Sequence, residues 1–220
     1  MELGELTPAT FVERLNRFVC LVNLNDKLEK VLIRNTGRLK ELLTPGREVY
    51  LRYKEGGKYR YELLLVRLDK TLVCVDSHLP PKLLVEYALK TGYPWKLLDY
   101  KYEFRVGTSR LDLLINKRIL VETKSVNLVI DGTAMFPDAP TTRGSKHVEE
   151  LIRSADTYKP EIVFIVQRED ALRFTPNKTM DPVFSEALKR FSSMGFTVRA
   201  FVCRVNLEEI TIKEEIPVIY

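Results

Sequence analysis

The sequence predicts a mixed α+β protein in two parts: an OB-like β-barrel over residues 1–79, then a mixed sheet flanked by helices over 80–220. Three observations carry this. Residues 11–76 read as about five short strands with almost no helical periodicity. Pro80-Pro81 then opens a change of period, after which helix-like and strand-like runs alternate. Turn residues fall at the changes of pattern, which is where backbone special conformations are needed.

In the first part, Phe18–Leu24 and Glu29–Ile33 flank Asn25-Asp26, a hairpin signal. Gly37 and Pro45-Gly46 punctuate the next stretch. Glu48–Tyr53 and Lys58–Arg67 flank Gly56-Gly57, and Thr71–Val75 follows. In the second part, Pro80-Pro81 starts a helix that Gly92 stops. Strands are expected at Tyr102–Val106, Ser109–Ile115 and Arg118–Ser125, then an irregular stretch from Asp131 to Thr142. A helix over Ser145–Tyr158 carries Val148, Leu151, Ile152 and Ala155 on one face. Glu161–Gln167 reads as a buried strand. Asp181-Pro182 caps another helix ending at Gly195, Thr197–Val205 is a strand, and the final strands look structural.

Composition narrows the function. With 35 basic and 30 acidic side chains the net charge is +5, which permits a nucleic-acid partner without demanding one. No apolar run reaches the ~18 residues of a membrane span, so no membrane association is expected. The acidic start, Met1-Glu2-Leu3-Gly4-Glu5, does not resemble a signal peptide, and the expected address is cytoplasmic. Cys20, Cys74 and Cys203 are scattered and odd in number, which fits neither a disulfide framework nor a zinc cluster. With only His78 and His147 available, a carboxylate-held hard cation is the metal chemistry left open.

Two acids and a lysine interrupt apolar strands: Asp112 in Leu111–Ile115, and Glu122 with Lys124 in Ile119–Lys124. Buried charge is costly alone, and a shared cation can offset it. Glu122 and Lys124, two apart, share a strand face. Asp112 joins them only if the turn has three residues, Asn116–Arg118. A two-residue turn at Asn116-Lys117 would put it on the other face. The three-residue turn is the expectation. Asp112, Glu122 and Lys124 are then the catalytic candidates. Mg²⁺ or Mn²⁺ would be held by Asp112, Glu122 and the Thr123 carbonyl, with Lys124 positioning water or offsetting charge. A buried structural ion pair is the competing reading.

Three stretches resemble the sugar fermentation stimulation protein A family: Gly107-x-Ser109-Arg110-x-Asp112, Glu122-x-Lys124-Ser125-Val126-x-Leu128, and Phe136-Pro137-Asp138-Ala139-x-Thr141-x-Arg143-Gly144-x-x-His147. The resemblance implies an OB-like domain, a restriction-endonuclease-like domain and DNA binding. It matches Asp112, Glu122 and Lys124 to the PD-(D/E)xK residues, Glu86 to a further metal-binding acid, and Glu103 to a supporting one. The chain departs from the family at Leu32-Ile33-Arg34, Asp76-Ser77 and Pro81. Two functions follow as expectations: a Mg²⁺- or Mn²⁺-dependent DNA phosphodiesterase, or a non-catalytic DNA-binding regulator of sugar metabolism genes that keeps the nuclease fold.

Other residues complete the expected DNA surface, for single or double strands. A two-residue Gly56-Gly57 loop would set Lys54 opposite Tyr59 and Arg52 opposite Tyr61, interleaving cations with rings as single-strand binders do. A solvated outer face is the alternative. Arg34 and Arg38 lie near. Arg143, Lys146 and His147 gather at a helix start, which suits phosphate, and Arg110 precedes Asp112. His147 could instead tie down the 131–142 loop, and Asp138 either orients one of these groups or caps a turn. Trp95 is expected between the domains. Oligomeric state is open, a homodimer included.

Overall fold

The computed structural model describes residues 1–220. Six strands form the first sheet: β1 (Leu6–Asn16), β2 (Val19–Leu24), β3 (Lys27–Ile33), β4 (Glu48–Tyr53), β5 (Tyr61–Leu68) and β6 (Thr71–Cys74). Their order is β3-β2-β1-β4-β5-β6, and a parallel β3–β5 pairing at Leu32↔Glu62 and Ile33↔Leu63 closes five of them into a barrel. This is the expected OB-like module. The β2–β3 turn is the predicted Asn25-Asp26, with φ of 50° and 60° and Leu24 paired to Lys27. Phe11, Val22, Ile33, Leu51, Leu63 and Val66 fill the interior.

The second hairpin corrects the sequence reading. Arg52 pairs with Glu62 and Tyr53 with Tyr61, so the register is one residue off the expected one. A seven-residue loop, closed by Lys54 N donating to Arg60 O at 2.8 Å, replaces the two-residue turn. Opposite charges then face each other, and Leu51 meets Leu63 inside the barrel. The expected interleaving of Arg52 and Lys54 with Tyr61 and Tyr59 does not form. Glu62, almost fully buried, draws in Arg34, and Arg52 at 3.2 Å. Arg52 also lies 3.5 Å from buried Asp76.

The second part contains α1 (Pro80–Thr91), β7 (Tyr100–Val106), β8 (Ser109–Ile115), β9 (Ile119–Val126), β10 (Leu128–Ile130), β11 (Thr133–Phe136), α2 (Thr142–Arg153), β12 (Lys159–Val166), β13 (Arg173–Pro176), α3 (Pro182–Ser193), β14 (Thr197–Val205) and β15 (Ile210–Ile216). Gly92 caps α1 in the left-handed conformation, and Asp181 caps α3 by accepting from Phe184 N, as the sequence signals indicated. Thr141 caps α2 three residues earlier than expected. The expected irregular stretch holds β11, which forms a small sheet with β10 just before it and with β13. No helix is long and apolar enough to cross a membrane.

The main sheet has the order β15-β14-β12-β9-β8-β7, with β12 parallel to both β9 and β14. β12 is buried almost throughout, which explains its unbroken apolar run. Leu83, Leu84 and Ala88 of α1 cover one face, against Val121, Val163 and Phe201. Residues from α2 and α3 cover the other, against Leu120, Phe164 and Val202.

The α1 core does not stop at the domain boundary. It includes Leu64, Leu65 and Leu72 from the outside of the barrel, and Trp95. Trp95 therefore packs between the two parts and donates to Glu161 at 3.2 Å. The amino-terminal residues also cross over: Leu3 N donates to Glu208 O, and Glu2 bridges to Glu209. Beside this apolar contact runs a buried polar seam. Asn35 donates to Val75 O and Asn127 Oδ1, both at 3.0 Å, and Asn127 donates to Cys74 O at 2.7 Å. Gln167 donates to Cys74 O and Asp76 O.

A second seam joins Asp138 to the barrel loop at Gly37. Asp138 Oδ2 accepts from Leu39 N at 3.0 Å, and Arg38 Nε donates to Asp138 O at 2.5 Å. A Cβ on Gly37 would lie 2.6 Å from both Asp138 carboxylate oxygens. Gly37→Ala is therefore expected to destabilise the protein by about 1–3 kcal/mol. Urea titration checks this, and an unchanged midpoint would mean the seam is loose.

Candidate active site

The β8–β9 hairpin builds the site. Ladder pairs Leu113↔Val121, Leu114↔Leu120 and Ile115↔Ile119 leave Asn116–Arg118 as a three-residue turn. Asn116 and Lys117 both adopt positive φ. The Asn116 side chain anchors the turn, accepting from Leu98 N and Asp99 N and donating to Lys96 O. The same register, carried one residue further, would set Asp112 across from Glu122.

Asp112 is placed by a break in its own strand. Leu111 packs in the α2/α3 core whereas Leu113, two residues on, packs in the α1 core. Regular alternation would put both on one side. The break lies beside Glu103 of β7, whose φ is 52°, between the pairs Tyr102↔Leu113 and Phe104↔Leu111. Asp112 leaves the backbone ladder, and its side chain takes over: Oδ2 accepts from Thr123 N at 2.7 Å and Thr123 Oγ1 at 2.6 Å.

Glu122 and Lys124 share the face of β9 that carries Leu120 and Val126, under α2. Glu122 Oε1 receives Lys124 Nζ at 2.5 Å and also His147 Nδ1. Its other oxygen, Oε2, is buried with no hydrogen-bond partner. Burial works against ionisation of Glu122, but Lys124 and His147 outweigh it and hold its carboxyl below the ordinary range. Asp112 goes the other way: burial, then the neighbouring Glu122 charge, push it up to about 6. Two adjacent acids pushed apart in this manner are a frequent mark of a functional site. Asp112 and Lys124 are only partly buried, so solvent reaches the pair.

Asp112 binds its proton more tightly folded than unfolded, so its contribution to stability is full below the ordinary value of 3.8 and is lost as pH rises toward about 6. Without divalent cations, wild type should lose on the order of 2 kcal/mol relative to Asp112→Asn across that window. A wild-type-minus-variant difference that stays flat from pH 4 to 7 would contradict this geometry.

The remaining expected site residues divide. Glu86 does not join: it lies exposed on α1, on the opposite side of the sheet, paired with the Met1 amine at 2.8 Å. Glu103 is exposed and pairs with Arg110 at 3.2 Å. His147, expected on the DNA surface, is instead buried against Glu122, because its helix turn faces the sheet. Asp138 holds the barrel loop rather than the α2 basic groups. Arg38, Arg110, Arg143 and Lys146 are exposed, while Arg34, Arg52, Lys54, Tyr59 and Tyr61 are half-buried. Sequence reasoning missed the Arg14 guanidinium, which donates to Arg17 O, Asn35 O, Gly37 O and Arg38 O and so fixes the basic barrel loop. Its place in an ordinary-looking strand gave no signal.

The donor set suits a hard divalent cation. It offers two carboxylates whose charges interact, one with a bare buried oxygen, beside the Thr123 backbone. No group of three or more His, Cys, Asp or Glu side chains forms a ready cage. Mg²⁺ is a cation that one or two carboxylates can hold, its shell completed by water and phosphate.

Comparison with known proteins covers nearly the whole chain. Residues 12–75 match the family model described as SfsA N-terminal OB domain, and 79–209 match the sugar fermentation stimulation protein RE domain. Sugar fermentation stimulation protein homologs of Aquifex aeolicus and Alkaliphilus metalliredigens are 53% and 43% identical, covering 97% and 98% of this chain and 98% and 97% of theirs. The solved structure of Pyrococcus furiosus SfsA in complex with Ca²⁺ superposes with a TM-score of 0.92 at 38% identity, covering 100% of this chain and 98% of the other.

Proposed function

Because the chain belongs to the sugar fermentation stimulation protein family, we propose that it binds DNA and hydrolyses phosphodiester bonds at a divalent-cation site made by Asp112, Glu122 and Lys124. The observation that carries this reading is Glu122 Oε2, a buried carboxylate oxygen without a partner, beside a second carboxylate and an amine. Asp112, Glu122 and the Thr123 carbonyl would hold Mg²⁺ or Mn²⁺. The named Ca²⁺ of the Pyrococcus relative is a cation of the same hard, oxygen-seeking class. A bound ion would polarise a phosphate oxygen and acidify a coordinated water.

The chain's own groups do the rest. Thr123 fixes the Asp112 carboxylate through two hydrogen bonds. Lys124 places an ammonium where charge accumulates on the phosphate, and Glu122 keeps it there. Arg38 reaches the loop leading into α2, so barrel cations and the exposed Arg143 and Lys146 can follow one backbone path. The proposed partner is DNA, single- or double-stranded, in the cytoplasm.

Supercoiled plasmid and single-stranded DNA, incubated with the protein in Mn²⁺ or in EDTA, test this. Nicking or degradation in Mn²⁺ alone is expected. Intact DNA at protein excess overturns hydrolysis.

One observation favours a second reading, a DNA-binding regulator without catalysis: Lys124 already offsets the Glu122 charge without a metal. It predicts DNA retention in gel shifts that falls steeply with salt and survives Glu122→Ala. No retention at low salt rejects it.

A further inference from the structure

We infer that His147 is a positioning residue that selects which Glu122 oxygen faces the cation; this rests on the metal-dependent reading above. A glutamate side chain can turn, and either oxygen can serve a metal. Here the choice is made by donors. His147 Nδ1 and Lys124 Nζ both engage Oε1, and Oε2 is left buried and bare.

The imidazole is itself held in one form. Arg143 Nε donates to His147 Nε2 at 3.4 Å, which makes Nε2 an acceptor and leaves the proton on Nδ1 for Glu122. A ligating carboxylate hydrogen-bonded in this fashion is what tunes metal sites from outside the coordination shell. The depth of His147 is fixed one turn earlier. A Cβ on buried Gly144 would come within 2.7 Å of Thr141 Cγ2 and 3.2 Å of Phe184 Cδ2, so α2 starts in tight contact with α3. Its first turn then carries the ring down to β9. The DNA surface uses Arg143, and the same residue locks the tautomer inside.

Asparagine and alanine separate positioning from mere packing. The amide of His147→Asn can occupy the Nδ1 place and still donate to Glu122, whereas His147→Ala cannot. In Mn²⁺ calorimetry, His147→Asn is expected within about threefold of wild type, and His147→Ala weaker by about tenfold or more. Alanine equal to wild type overturns the inference while leaving the metal reading standing. Wild type giving no Mn²⁺ heat overturns the metal reading, and the inference with it. If His147→Ala does not fold, two measurements decide: the Asn variant, and ¹⁵N–¹H NMR of the metal-free wild type. The NMR should show His147 protonated at Nδ1 and not at Nε2. A proton on Nε2, or an Asn variant as weak as one lacking Glu122, refutes the inference.

Discussion

Glu122→Gln and Lys124→Met are each expected to slow the proposed Mn²⁺-dependent DNA cleavage by at least about a hundredfold in single-turnover assays. Glutamine keeps the shape of Glu122 but removes the charge that offsets Lys124. Its amide oxygen can accept from the two donors at the Oε1 place, which puts the NH₂, no cation ligand, at the Oε2 place. Methionine fills the Lys124 volume and leaves Glu122 without its lysine counter-charge. The two losses should not multiply, since each side chain acts through the other. Circular dichroism and retention of DNA in low-salt gel shifts should be unchanged. Cleavage within fivefold of wild type in either variant would move the chemistry elsewhere in the molecule.

The largest stability effect is expected at Phe164→Ala, a loss of about 3–5 kcal/mol in urea unfolding. Phe164 is fully buried on β12, and its ring stacks on Phe174 at 4.0 Å between centroids. It also meets Phe136 at 5.6 Å and Phe184 at 6.5 Å. One ring thus joins the main sheet, the small sheet and α3. Truncation leaves a cavity that three separate elements would have to move to fill. Phe164→Leu should lose distinctly less. If alanine lowers stability by under about 1.5 kcal/mol, the aromatic cluster is not packed as described.

Much of this was legible in the sequence because local chemistry governs it. Pro80-Pro81, Gly92 and Asp181 mark helix ends through backbone geometry alone. Asn25-Asp26 fixes a hairpin in the same way. The three-residue turn at Asn116–Arg118 was legible only as one of two registers. What decides that turn is partly non-local: Asn116 is tied to Lys96, Leu98 and Asp99. The Gly56-Gly57 hairpin misled for a related reason. Two glycines predict a short turn, but the burial of Leu51 and Leu63 and the Arg52–Glu62 pair prefer another register. His147 and Asp138 were visible as motif residues, yet their partners come from distant chain segments. Sequence spacing contains no term for that. The kink at Asp112 was also invisible, since Glu103 shows no composition signal for positive φ.

The crossing of the amino-terminal residues has an effect on how the molecule is made. Glu2 and Leu3 are translated long before their docking strip, Glu208 and Glu209. The barrel can close on its own interior once β6 and Val75 have emerged. Its outer surface, Leu64, Leu65 and Leu72, then waits uncovered for α1 and β14. Vectorial synthesis therefore exposes a sticky intermediate of known composition, and a nascent chain stalled before residue 197 should be the form most dependent on a chaperone.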